Sequence, residues 1–135
     1  MIWYDVFFIM KKTLETLYVF FEIDNGILIA TYKPNTYITL KEAKEIVASR
    51  LAFIDKPSLP TLVLNQGIIK MNKAARDYLA STEGIAGVKC AAILINSNFI
   101  SITVNFFLRV TKTKLLVKTF TDKKEALAWL SGFTD

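Results

Sequence analysis

The sequence predicts an α/β domain built on a mixed sheet of about five strands, opened by an antiparallel N-terminal hairpin and covered by about four helices. Three observations carry this. Asn25-Gly26 separates two β-branched and aromatic runs, Leu17 to Ile23 and Ile27 to Tyr32, and the central residues of a tight hairpin turn need positive φ. Beyond the hairpin, short apolar runs alternate with segments of helical spacing, the order expected of parallel strands joined by crossover helices. The chain has 135 residues, 53% of them hydrophobic, enough for one core and too apolar for a disordered tail.

Residues 1–13 read as an apolar N-terminal extension and residues 14–135 as a single domain. Ile2 to Met10 is interrupted by Asp5 and followed by Lys11 and Lys12. That order is wrong for a secretory signal, and the stretch is well short of the roughly 20 residues of a membrane-spanning helix. Met10-Lys11-Lys12 looks more like a natural start than Met1, so residues 1–9 read as an upstream extension or a short extra strand. If they order, Trp3, Phe7 and Phe8 need a partner surface.

After the hairpin, Thr39-Leu40-Lys41-Glu42 is a capping box. The helix it opens places Leu40, Ala43, Ile46, Val47, Arg50 and Leu51 on one side, making it an amphipathic cover for a sheet. Pro57 and Pro60 bracket a loop, and Thr61 to Leu64 follows as a strand buried on both faces. Asn65-Gln66-Gly67 closes it. Asn72 can cap a helix from Lys73 to about Ala80, with Gly84 and Gly87 ending that region. Val88 to Ile95 is the next buried strand, and its small Ala91 and Ala92 suit a closely packed helix. Asn98 to Val110 mixes strand-favouring residues with helical spacing; its length and Ser97, a good N-cap, favour a helix. That helix is apolar almost all round, so it is either deeply buried or spends its second face on a partner. Leu115 to Phe120 reads as the last strand, and Thr121 or Asp122 caps a final helix with Ala126, Trp129 and Leu130 inward.

Composition narrows the chemistry. The chain holds no His and one Cys, which removes Ser-His and Cys-His pairs, intramolecular disulfides and multi-cysteine metal patterns. The net charge of +5 comes from scattered Lys and Arg that thicken only at Arg109, Lys112, Lys114 and Lys118, without the exposed aromatics or recognition helix of a nucleic-acid binder, so no nucleic acid is expected. Asp77 with Arg76 reads as solvated, and Cys90 inside an apolar strand reads as a structural thiol. No catalytic residue, metal site or cofactor is assigned, and the chain is expected to be non-enzymatic and cytoplasmic.

Two surfaces remain. Asn65, Gln66, Asn72, Asn96, Ser97 and Asn98 stand at strand ends, where ligands of α/β folds bind. They serve either as caps or as a site for an anionic small ligand. Phe99, Ile100, Val104, Phe107 and Leu108 form the second face of the apolar helix. That face is either buried under the N-terminal segment or used for a homodimer or protein partner.

Three stretches resemble the STAS group, in the branch of small stand-alone SpoIIAA-like domains of uncharacterised function. They are Ile38 to Val47, Ala74 to Leu79 with Ser81, and the span from Ser97 through Asn105-Phe106-Phe107-Leu108 to the Phe120 to Leu130 ending. The resemblance covers about residues 14 to 132 and implies the SpoIIAA-like fold and a regulatory role through protein association. Partner-switching members carry a phosphorylated Ser at the start of a helix that follows a central strand. Here that place is Met71-Asn72, and Asn72 cannot be phosphorylated. Other STAS-like domains bind nucleotides or lipids, which makes a ligand role the alternative.

Overall fold

The computed structural model describes residues 12–67, 69–95 and 114–135. Their elements are β1 (Lys12–Glu15), β2 (Val19–Asp24), β3 (Ile27–Tyr32), β4 (Thr36–Ile38), α1 (Leu40–Phe53), β5 (Leu59–Asn65), β6 (Ile69–Met71), α2 (Lys73–Leu79), β7 (Val88–Leu94), β8 (Val117–Phe120) and α3 (Lys123–Ser131). The predicted helix over Asn98–Val110, together with Asn96, Ser97 and the face Phe99, Ile100, Val104, Phe107 and Leu108, lies outside the described residues, as do residues 1–11.

The hairpin forms where the turn chemistry places it. Asn25 and Gly26 have φ of 52° and 78°, and β2 and β3 pair antiparallel from Val19↔Tyr32 to Asp24↔Ile27. The main sheet has six strands in the order β1-β2-β3-β5-β7-β8, and β4 and β6 form a separate parallel pair. β1 adds to the hairpin antiparallel, while β3, β5, β7 and β8 run parallel. The expected architecture of a mixed sheet with a leading hairpin is therefore present, with more strands than the expected five and three helices among the described residues. The additional strands, β1, β4 and β6, are three or four residues long, too short for an alternation signal. Pro60 sits near the start of β5 where the register with β7 shifts, as suits a residue with no N–H to give the ladder.

Alternation along the strands sorts the core into two layers. Leu28, Ala30 and Tyr32 of β3, with Ala91 and Ile93 of β7, face Ala43, Ile46, Val47 and Phe53 of α1 and Ala75 and Leu79 of α2. Ile27 and Ile29, with Leu62, Cys90 and Ala92, face Ala126 and Leu130 of α3. Small Ala92 and Ala126, both fully buried, bring α3 close to the sheet. Leu40 and Leu51, placed on the inner side of α1 by spacing, are instead exposed; Phe53 takes the buried position at its end.

Each described helix starts on a side-chain cap. The Glu42 carboxylate accepts from the Thr39 N–H at 2.9 Å and from the Thr39 hydroxyl, so the hydroxyl donates to the carboxylate. Asn72 Oδ1 accepts from Ala75 N–H at 2.9 Å, and Asp122, not Thr121, caps α3 by accepting from Lys124 N–H at 3.0 Å.

Candidate functional site

The strand-end residues are placed by two different turns. Asn65 ends β5 opposite Tyr32, and its Nδ2 donates to Gly67 O at 2.8 Å. The exposed Gln66 donates its N–H to Tyr32 O at 3.0 Å. Gly67 lies against Pro34, where an added Cβ would come within 2.8 Å of the proline Cβ. These contacts close the end of the sheet over β3 and β5 with main chain. Asn72 lies beyond β6, donates its N–H to Ile38 O at 3.2 Å and spends its side chain on the α2 cap. Asn65 and Asn72 thus do local structural work. Asn96 and Ser97 lie outside the described residues.

The other chemistry-bearing residues are similarly engaged. Asp77 pairs with Lys73 at 2.8 Å, one helical turn away, and Arg76 donates to Met71 O at 2.6 Å. Cys90 is buried against the α3 side, where burial pushes its thiol up and the neighbouring Lys89 pulls it the other way. A thiol held protonated in an apolar layer is a poor nucleophile. Among the described residues no His, Cys, Asp and Glu group is placed to hold a metal ion. A cleft of about 280 Å³ at the opposite end of the sheet is lined by Lys56, Lys89 and Asp135, of which Lys89 and Asp135 pair at 3.1 Å.

One site escaped the sequence reading. Arg50 stands on the buried side of α1, 8% exposed, and its Nη2 donates to the carbonyls of Gly84 and Ala86, both at 2.7 Å. The turn that offers these carbonyls cannot shift freely. A Cβ on Gly84 would fall 1.9 Å from Tyr78 O, and Gly87 has φ of 82° with Ile54 and Leu51 within 2.9 Å of its missing Cβ. Arg50 also lines a partly open cavity of about 60 Å³, together with Phe21, Ala30, Tyr32, Thr61, Val63, Ala91 and neighbouring residues. Burial lowers the guanidinium from its ordinary value, countered by Tyr32 and Tyr78, while burial raises the Tyr32 phenol despite the nearby Arg50. The available signal was a single Arg at a helical position otherwise reserved for core residues.

The surface carries a second feature. Leu17 is 79% exposed, Tyr37 60%, Leu51 41% and Leu40 37%. All four lie on or beside α1: Tyr37 is in β4, which leads into the helix, and Leu17 lines a surface hollow with Glu45, Ile46 and Ser49. No described helix is long and apolar enough to cross a membrane.

In comparisons with known proteins, the profile of a family described as Domain of unknown function (DUF7793) matches residues 21–134. No curated protein matches the sequence. Among solved structures, the chain is similar to an uncharacterized protein of the DUF3478 family with a SpoIIAA-like fold from Shewanella loihica PV-4. The identity is 20%, the match covers 90% of this chain and 92% of that chain, and the TM-score is 0.45.

Proposed function

The chain belongs to the DUF7793 family of domains of unknown function, and we propose that it is a non-enzymatic, STAS-like regulatory module of the cytoplasm. It acts by association, as a homodimer or with a protein partner, and without the phospho-Ser switch. The observation that carries this reading is the exposed apolar set Leu17, Tyr37, Leu40 and Leu51 around α1. Single exposed apolar residues are ordinary, but four on or beside one helix, with Leu40 at its start and Leu51 near its end, suit an association surface. The residues Phe99, Ile100, Val104, Phe107 and Leu108, read from the sequence as one apolar side of a helix, would supply a second such surface. Asn72 at the start of α2 supports a module without phosphorylation there, because its side chain is committed to the cap.

Sedimentation velocity on the purified chain and on Leu17→Asp and Phe107→Asp variants tests the reading. A charge placed in either surface should weaken assembly while leaving the circular dichroism spectrum unchanged. Assembly that is the same in both variants and in the parent chain counts against it. A second reading, binding of a small anion, is favoured by a separate observation, the buried Arg50 beside its cavity.

A further inference from the structure

The described residues contain one buried cation whose charge has no matching anion. A guanidinium is protonated at neutral pH, and taking it out of water costs several kcal/mol unless hydrogen bonds and an opposite charge compensate. Arg50 receives part of this: the Gly84 and Ala86 carbonyls both fall on Nη2. Its Nε is buried with no hydrogen-bond partner, and among the described residues no carboxylate pairs with it.

The cavity that Arg50 lines has about 60 Å³, against the ~15 Å³ that one water requires. It has room for an acetate-sized molecule. Its other walls include the polar Tyr32 and Thr61 beside Phe21, Ala30, Val63 and Ala91, and these last four give a short hydrocarbon tail many contacts. A doubly charged tetrahedral anion would need several donors, whereas one negative charge balances one guanidinium.

We propose that this cavity binds a small aliphatic monocarboxylate, with its head group on Arg50 and its tail against Phe21, Ala30, Val63 and Ala91. The site uses neither the side chains of Asn65 and Asn72, which bond Gly67 O and the Ala75 N–H, nor the exposed apolar residues around α1. It therefore stands or falls independently of the association reading.

The test is thermal unfolding and isothermal titration of the full chain with sodium acetate and sodium propionate, using sodium chloride and sodium sulfate at matched ionic strength as references. Both carboxylates should raise the melting temperature saturably, as linkage requires of a ligand that binds only the folded state. Ala91→Val places two methyl groups in the cavity while suiting a strand, and should lower carboxylate affinity by at least about tenfold. Arg50→Met should remove binding. If that variant fails to fold, Ala91→Val still decides. A carboxylate effect no larger than that of chloride overturns the proposal, as does carboxylate binding undiminished in Ala91→Val.

Discussion

Among the five glycines, Gly84 is the one where an added Cβ, as in Gly84→Ala, would meet its surroundings most closely. The added Cβ would lie 1.9 Å from Tyr78 O and 2.7 and 2.8 Å from Leu79 Cα and C, so the turn must move away from α2. The same movement pulls a carbonyl off Arg50, to which it is bonded at 2.7 Å. Overpacking of this kind costs about 1–3 kcal/mol and loss of a hydrogen bond to a charged group about 1.5–3, for a total of about 2.5–6 kcal/mol. For 135 residues the unfolding entropy is about 0.28 kcal/mol/K, so the melting temperature should fall by about 9–21 °C. Urea unfolding gives the free energy directly, provided the slope is unchanged. Gly132→Ala is the matched control. Its Cβ would come no nearer than 3.4 Å to Trp129 O, and its φ is already −68°, so stability should hold or rise by up to about 1 kcal/mol. A Gly84→Ala loss below about 1 kcal/mol would refute the coupling of this turn to α2 and Arg50.

The remaining predictions concern caps and titration. The Thr39 hydroxyl, and next its main-chain N–H, hold the Glu42 carboxyl below its ordinary 4.5. A depressed carboxyl contributes stability above that value and loses it as pH falls through the folded pKa. Carboxyl-detected NMR titration should place Glu42 low, and Thr39→Ala should return it toward 4.5; an unshifted wild-type titration would contradict the cap. Burial raises the Tyr32 phenol above its ordinary 10.0, so its contribution is present below pH 10.0 and lost as pH rises through the folded value. Tyr32→Phe should flatten the alkaline limb of a stability-against-pH curve, and parallel limbs would disprove the assignment. Asn72→Ala should cost about 0.5–2 kcal/mol in chemical denaturation through loss of the α2 cap. A neutral result would free Asn72 for another role.

What the sequence discloses depends on how local each device is. The hairpin rests on two adjacent residues, Asn25 and Gly26, and the helix starts on Thr39, Asn72 and Asp122 each rest on one turn of chain; all were legible. β4 and β6 pair residues far apart, Thr36↔Ile69 to Ile38↔Met71, through segments too short to show a period. The same limit hid β1. The strand-end amides were legible as positions and not as roles, because a cap and a ligand contact use the same side chains; Asn65 and Asn72 each make a local hydrogen bond, to Gly67 O and from the Ala75 N–H. Arg50 was placed on the correct side of its helix but counted with the apolar face. Its partners are carbonyls more than thirty residues away, and a carbonyl leaves no trace in residue type.

The association reading is tested most directly by native mass spectrometry of the chain purified gently from its own cells. The prediction is a particle heavier than one 15.3 kDa chain, holding either two copies or one copy with a second polypeptide, and reduced to the single chain by Leu17→Asp or Phe107→Asp. A lone single chain at every concentration would contradict the association reading.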